Sequence, residues 1–207
     1  METIILKTNQ KVAKVNYNLE GYSVGGNDAL LGDTLTQGTN ANDTMYGNAG
    51  DDLLRGYDGD DVMFGGAGND RMAGYAGNNT MYGGSGIDYM FTGNCYVGVN
   101  TMNGGTGADH FVLNAFESSS MKGSNIMAIQ DFSSIDSIDI VSYDRSLSFS
   151  KFDTNNDGLL TTEDKGVTAL HNADGTTGIQ LAVSDHYAIQ VQNQSQLTSS
   201  DFSFKAI

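Results

Sequence analysis

Apolar residues recur every nine positions through the middle of the chain: Met45, Leu54, Met63, Met72, Met81 and Met90, then Met102 and Phe111 after one step of twelve. An amphipathic helix repeats near 3.6 residues and a long half-buried strand near two, so neither produces this spacing. Each apolar residue centres a short segment such as Thr44-Met45-Tyr46 or Arg71-Met72-Ala73. In so short a strand the flanking side chains face one way and the middle one the other, which places the eight apolar residues in a common interior. Six of the nine methionines stand in that column, where unbranched, polarizable side chains fill a narrow space between short sheets. Between the strands the phrase is Gly-x-x-Gly-x-Asp, clearest in Gly65-Gly66-Ala67-Gly68-Asn69-Asp70-Arg71-Met72. The pattern predicts an all-β coil of tight turns and very short strands, one turn per phrase.

Outside the repeat the pattern changes. Ile4, Leu6, Val12 and Val15 alternate over residues 1–27, predicting strands or a cap on the first end of the stack. Gly25-Gly26-Asn27-Asp28 and Gly32-Asp33-Thr34 read as degenerate turns out of register with the array. The three extra residues of the twelve-residue step fall between Gly93 and Gly98, predicting a bulged corner that carries Cys95 and Tyr96. Downstream, Gly178–Val183 and Tyr187–Gln192 alternate as half-buried strands do, while Thr162–His171 allows a short helix. The expected organisation is a strand cap over 1–27, the repeat array over 28–113, and a C-terminal β cap over 114–207.

Composition sharpens this picture through its punctuation and charge. Twenty-seven glycines and no proline imply turns set by positive-φ glycines. Net charge is −15, and residues 41–110 hold nine aspartates against two arginines, a segment that repels itself until cations neutralise it. No basic stripe is present for nucleic acid, no apolar run is long enough for a membrane helix, and the first residues lack a basic-then-apolar leader. Cys95 is the sole cysteine, so no internal disulfide forms.

The aspartates carry the chemistry. Asp43, Asp52, Asp61, Asp70, Asn79 and Asp88 occupy one position of the phrase, and Asn100 and Asp109 continue it. Carboxylates and turn carbonyls are hard oxygen donors that suit calcium rather than zinc or copper. The turns offering carbonyls contain Gly47 and Gly50, Gly56 and Gly59, Gly65 and Gly68, Gly74 and Gly77, Gly83 and Gly86, and Gly104 and Gly107. If successive phrases alternate sides, Asp43, Asp61 and Asn79 form one column and Asp52, Asp70 and Asp88 another. Asparagine gives a carbonyl oxygen but no charge, so sites using Asn79 or Asn100 should bind more weakly.

These phrases resemble the repeats-in-toxin (RTX) family, whose Gly-Gly-x-Gly-x-Asp-x-apolar-x signature is matched almost fully by Gly65–Met72 and Gly104–Phe111. The resemblance implies a parallel β-roll folded around stacked calcium ions, in a protein exported by bacterial type I secretion machinery. Asn48, Tyr57 and Tyr75 depart from it by replacing the second glycine. The segment with Asp131-Phe132 and Asp136-Ser137-Ile138-Asp139 is similar to the region after the roll in that family, and its aspartates read equally as a further calcium site or as turn residues. The chain's last residues, Leu197–Ile207, are similar to the ends of type I substrates.

A second calcium signal follows different logic. Asp153, Asn155, Asp157, Thr161 and Asp164 occupy positions 1, 3, 5, 9 and 12 of an EF-hand-like loop, with Gly158 at position 6 and the Leu159 carbonyl at position 7. Aspartate at position 12 fits a dockerin-like variant, although only one copy is present. The alternative reading is a solvated Asn-Asp-Gly turn.

No enzyme is expected. His110, His171 and His186 are scattered, and neither Gly-x-Ser-x-Gly nor His-Glu-x-x-His occurs. The leading reading is therefore a secreted or cell-surface calcium-binding module that folds outside the cell and serves as a structural or secretion scaffold. A second is surface recognition, as an adhesin, polysaccharide-binding or ice-binding module, by the outward rows Thr44, Val62, Thr80, Thr101 and Tyr46, Phe64, Tyr82. A third is a non-catalytic fragment of an RTX protease, lipase or alginate epimerase.

Overall fold

The structure is a computed structural model that describes residues 35–93, 97–116, 123–173 and 175–206. The expected N-terminal cap over 1–27, the degenerate turns after it, and Cys95 and Tyr96 lie outside the described residues. The nine-residue phrase produces strands that alternate between two sheets. On one side β1 (Leu35–Gln37), β3 (Leu53–Tyr57), β5 (Arg71–Tyr75), β7 (Tyr89–Phe91) and β9 (His110–Ala115) pair in parallel. On the other, β2 (Thr44–Ala49), β4 (Val62–Ala67), β6 (Thr80–Ser85) and β8 (Gly98–Thr106) do the same. Two phrases make one coil, so the fold is a parallel β-roll.

Register follows the apolar phase. Met45 pairs with Met63, Met63 with Met81 and Met81 with Met102, while Leu54, Met72, Met90 and Phe111 form the facing row. All eight are fully buried, as the spacing predicts. The twelve-residue step causes no slip in face, since Thr80 pairs with Thr101 and Met81 with Met102. A one-residue slip would have turned the interior row outward.

The sheets continue into the C-terminal segment. β10 (Asn125–Ile129) and β11 (Ser137–Ser142) add another coil, and β15 (Tyr187–Gln192) and β17 (Phe202–Ala206) then pair in parallel with them. β14 (Thr177–Ala182) and β13 (Val167–His171) finish the eight-stranded sheet in antiparallel fashion. Met127, Ile129, Ile138, Ile140, Tyr187, Ile189 and Val191 extend the methionine core into this cap. Its remaining elements are a one-turn helix α1 (Phe149–Phe152), a small antiparallel pair of β12 (Leu159–Leu160) with β16 (Leu197–Thr198), and a 3-10 turn at Ser199–Asp201.

One expectation is corrected. The stretch Thr162–His171 is not a helix: Gly166 takes φ +87° and the chain then runs as β13. Val167 and Thr168 are β-branched, and the strand's backbone groups find partners in β14 rather than within their own segment.

Candidate metal centre

Turns on the same side of the roll lie one above another, and the phrase aspartates link them. The Asp43 amide donates to Asp61 Oδ1 (2.9 Å), Asp52 to Asp70 (2.8 Å), Asp70 to Asp88 (2.8 Å) and Asp88 to Asp109 (2.9 Å). Asp109 in turn donates to Asp136 Oδ1 (2.9 Å), which extends the second column by one coil. The resulting columns are Asp43, Asp61, Asn79, Asn100, Asn125 and Asp52, Asp70, Asp88, Asp109, Asp136. Every one of these side chains is buried.

The second carboxylate oxygen of these residues is where the chemistry lies. Asp61, Asp70, Asp88 and Asp109 each bury Oδ2 without a hydrogen-bond partner, and Asp43 does so with Oδ1. The first glycine of each turn leaves room beside them. A β-carbon at Gly47 would lie 2.5 Å from Asp52 Oδ2 and 2.5 Å from the Gly65 carbonyl oxygen of the next coil. The same collision, with Asp61 Oδ2 and the Gly74 carbonyl, would occur at Gly56. At Gly65 it would involve Asp70 Oδ2 and the Gly83 carbonyl, and at Gly83 it would involve Asp88 Oδ2 and the Gly104 carbonyl. At Asp61, Asp70 and Asp88 a carboxylate oxygen thus comes toward a carbonyl oxygen with no donor on the carboxylate atom. Two acceptors converging in a buried space fit a hard cation.

Protonation reflects the same crowding. Burial pushes Asp61 and Asp70 up to about 6 and Asp88 up to about 7. The amide of the neighbouring coil's aspartate pulls each down, and the column's other carboxylates push up again. Asp109 is raised for the same leading reason. Among the described residues no three carboxylate, imidazole or thiol side chains form a metal-binding cluster, so a cation here would draw mainly on backbone carbonyls.

The first column changes character halfway. Asn79 Nδ2 donates to Asn100 Oδ1 (3.1 Å), and Asn100 Nδ2 lies 3.5 Å from Asn125 Oδ1. A β-carbon at Gly74 would meet Asn79 Nδ2 and Asn100 Oδ1 at 2.6 Å each, so an amide donor stands where other turns place a carboxylate oxygen. Asn125 was not recognisable as a column member, because it lies 25 residues beyond Asn100 rather than 18 or 21.

Backbone shape explains the glycines and their replacements. Gly66, Gly84 and Gly105 at the second phrase position take φ of 114°, 113° and 92°, and Asn48, Tyr57 and Tyr75 take 76°, 75° and 64° at the equivalent positions. The turn therefore demands a left-handed residue, and Tyr57 and Tyr75 accept that strain while stacking their rings at 5.4 Å. The third glycines, Gly50, Gly59, Gly68, Gly77, Gly86 and Gly107, all have positive φ. An outer ladder also ties the turns: Asn42, Asp51, Asp60, Asn69 and Asn78 each accept from the amide one coil on. Its signal was visible in the sequence as Asn or Asp immediately before Asp43, Asp52, Asp61, Asp70 and Asn79, and it ends where Ile87 and Val99 take that place.

The loop 153–164 closes on its own amides. Asp153 accepts from the Asp157 (3.2 Å) and Gly158 (3.0 Å) amides, Asn155 Oδ1 from Asp157 (3.1 Å), and Asp157 from Leu159 (2.8 Å). Asp164 accepts from the Thr154 (2.7 Å) and Thr161 (3.1 Å) amides. Burial would raise its pKa, but these bonds outweigh it and the net shift is downward. Gly158 has φ +85°, as position 6 requires, and β12 pairs position 7 and 8 with β16. The loop has the turn geometry of an EF-hand without its exiting helix.

Asp131 is a cap, with its two oxygens accepting from the Gly104 and Gly105 amides at 2.8 Å each. Asp139 lies against His110 Nδ1 (3.2 Å) and Lys205 Nζ (3.5 Å). Ser137 Oγ also contacts His110 Nδ1, at 2.7 Å. Serine and aspartate thus share one imidazole nitrogen, whereas a relay needs the nucleophile on one nitrogen and the acid on the other. The outward row Tyr46, Phe64, Tyr82 stacks at 5.0 Å per step with interplanar angles of 6° and 7°. Phe64 therefore has a ring on each face, and Tyr46 and Tyr82 each have one.

The fold and its turns define a parallel β-roll with two stacks of acidic turns. The model of the RTX calcium-binding nonapeptide repeat, four copies, matches residues 37–72 and 64–90, so this part of the chain is built of calcium-binding RTX repeats. No curated protein matches the chain. Among solved structures, the chain is similar to the solution structure of the AlgE6R3 subunit from the Azotobacter vinelandii mannuronan C5-epimerase. The identity is 20%, with 91% of this chain and 85% of that chain covered, at a TM-score of 0.29. No helix among the described residues is long and apolar enough to cross a membrane.

Proposed function

We propose that this chain is a secreted, non-catalytic module whose roll folds when calcium reaches it outside the cell. One observation carries the reading: the buried, unpartnered oxygens of Asp61, Asp70 and Asp88 beside next-coil carbonyls. The residues that would hold cations are Asp52, Asp70, Asp88 and Asp109 on one side with the carbonyls of Gly65, Gly83 and Gly104. On the other side they are Asp43 and Asp61 with Gly56 and Gly74. The ion supplies positive charge where the fold otherwise buries anions, so its binding energy becomes folding energy. Extracellular modules bind calcium at roughly 10⁻⁴ to 10⁻³ M, which keeps such a chain unfolded in a low-calcium cytoplasm and competent for export. The loop 153–164 adds a separate site through Asp153, Asn155, Asp157, the Leu159 carbonyl and Asp164. We assign no ion to Asn79 and Asn100, whose amides satisfy each other.

A circular-dichroism titration from chelator to millimolar calcium tests this. Strand signal should rise with calcium in one cooperative transition, and a signal equal in chelator and calcium would refute the proposal.

A further inference from the structure

The eight-stranded sheet ends on β13, and hydrogen-bond alternation decides which backbone groups that edge presents. The Gly166 carbonyl accepts from the Ala182 amide (2.9 Å) and the Asn172 amide donates to the Thr176 carbonyl (2.9 Å). Residues 166, 168, 170 and 172 therefore turn their backbone toward β14, and Val167, Ala169 and His171 turn theirs away from the sheet. The Val167 amide donates to the Asp164 carbonyl (3.2 Å). Among the described residues this leaves the Val167 carbonyl and the amides and carbonyls of Ala169 and His171 unpaired. Natural edges are blunted by proline, a bulge or a charged side chain, whereas β13 reads Val-Thr-Ala-Leu-His, with no proline, lysine, arginine or carboxylate. β17, which ends the other sheet, does carry Lys205. Thr168, Ala169 and His171 are exposed, so the β13 edge is open to solvent.

We propose that two copies of this chain join through β13, pairing antiparallel about a two-fold axis at Leu170. In that register Ala169 of each copy faces His171 of the other, and the free amides and carbonyls of both residues are all matched by hydrogen bonds across the axis. Side chains favour the same register. Leu170 stands opposite Gly178 of β14, which has no side chain to cover it, and it remains half-buried. Pairing about Leu170 sets it against its own counterpart in a non-hydrogen-bonded pair, where side chains approach most closely. An axis at Ala169 would set each Leu170 against a Thr168 hydroxyl instead. Any extended segment can satisfy the backbone groups, but a second copy also brings its own uncovered leucine. The contact makes the two eight-stranded sheets one continuous sheet, and β14, β15 and β10 separate it from the repeat strand β8. A net charge of −15 on each copy opposes the pairing, and strands this short bury less than a standard interface. The dimer is therefore reversible and favoured by salt.

Sedimentation equilibrium of the full chain in millimolar calcium tests this, over protein concentrations from about 10 µM to about 1 mM. The mean mass should climb from one copy toward two. Ala169→Pro removes an edge amide that β14 does not use, so strand signal should be unchanged while self-association weakens about tenfold or more. Leu170→Lys sets like charges across the axis and should weaken association similarly. Register is read by cysteine pairing in a Cys95→Ser background, in a glutathione redox buffer. Leu170→Cys should form a covalent dimer, and Ala169→Cys should not, because its counterpart lies diagonally across the pair and beyond disulfide reach. A chain that stays monomeric throughout the range, whether or not an added peptide binds β13, overturns the proposal. So does association of Ala169→Pro and Leu170→Lys equal to that of the parent chain, or cross-linking at position 169 in preference to 170.

Discussion

Acid should replace calcium. In the metal-free fold, burial holds Asp61 and Asp70 at about 6 and Asp88 at about 7, against an ordinary carboxylate value of 3.8. A pKa unit is worth about 1.4 kcal/mol, so keeping these groups ionised costs about 3 kcal/mol at each of the first two and about 4 at the third. The combined cost, on the order of 10 kcal/mol, equals the whole stability of an ordinary domain. The sign follows from proton counts. A folded-state pKa above the unfolded value means that the folded chain binds the extra protons, so metal-free stability falls as pH rises. It is greatest below about pH 4 and is lost through the window from there to about 7. Circular dichroism in chelator should therefore show more strand at pH 5 than at pH 8, while calcium-loaded protein should show none of this dependence across the same range. Equal strand content at pH 5 and pH 8 in chelator would refute the claim that buried carboxylates are what calcium relieves.

Further expectations follow from single turns. Asn79→Asp with Asn100→Asp replaces an amide pair with two carboxylates, so calorimetry in calcium should count at least one more ion while the chelator-treated chain loses strand. Gly68→Ala places a β-carbon at φ +135° against the Gly50 carbonyl and should lower thermal stability in calcium by about 2 kcal/mol or more. Asp153→Ala removes the acceptor for the Asp157 and Gly158 amides, and should reduce bound calcium by one ion without changing the cooperative folding transition of the roll.

The roll was legible because its signals are local and repeated. Apolar phase, glycine position and aspartate position all recur in one phrase, so strand faces, the methionine interior and the two columns could be read from spacing alone. The C-terminal part was less legible where contacts are distant. β13 looked helical because its partner, β14, begins ten residues later. Asn125 reaches the first column across a longer connection: the strand register sets it opposite Gly98, and only its side-chain oxygen, 3.5 Å from Asn100 Nδ2, joins the column.

The two columns divide the labour of stabilisation unequally along the roll. The second column carries aspartate in every coil from Asp52 to Asp136, so each of its steps gathers negative charge. The first does so only at Asp43 and Asp61 and then becomes an amide ladder at Asn79, Asn100 and Asn125. Asn79 Nδ2 bonds Asn100 Oδ1 and Asn100 Nδ2 reaches Asn125 Oδ1, so these steps hold together without an ion, as amide ladders do in other stacked parallel strands, and of the ladder's amides only Asn125 Nδ2 is left without a partner among the described residues. That ladder leads directly into the cap, where Met127, Ile129, Tyr187, Ile189 and Val191 bury a conventional apolar core. Dependence on calcium should consequently be strongest at the first coils and weakest where the roll meets the cap. Hydrogen exchange read coil by coil during chelation should open Met45 and Leu54 before Met102 and Ile129; simultaneous opening of all coils would show that the amide ladder confers no such gradient.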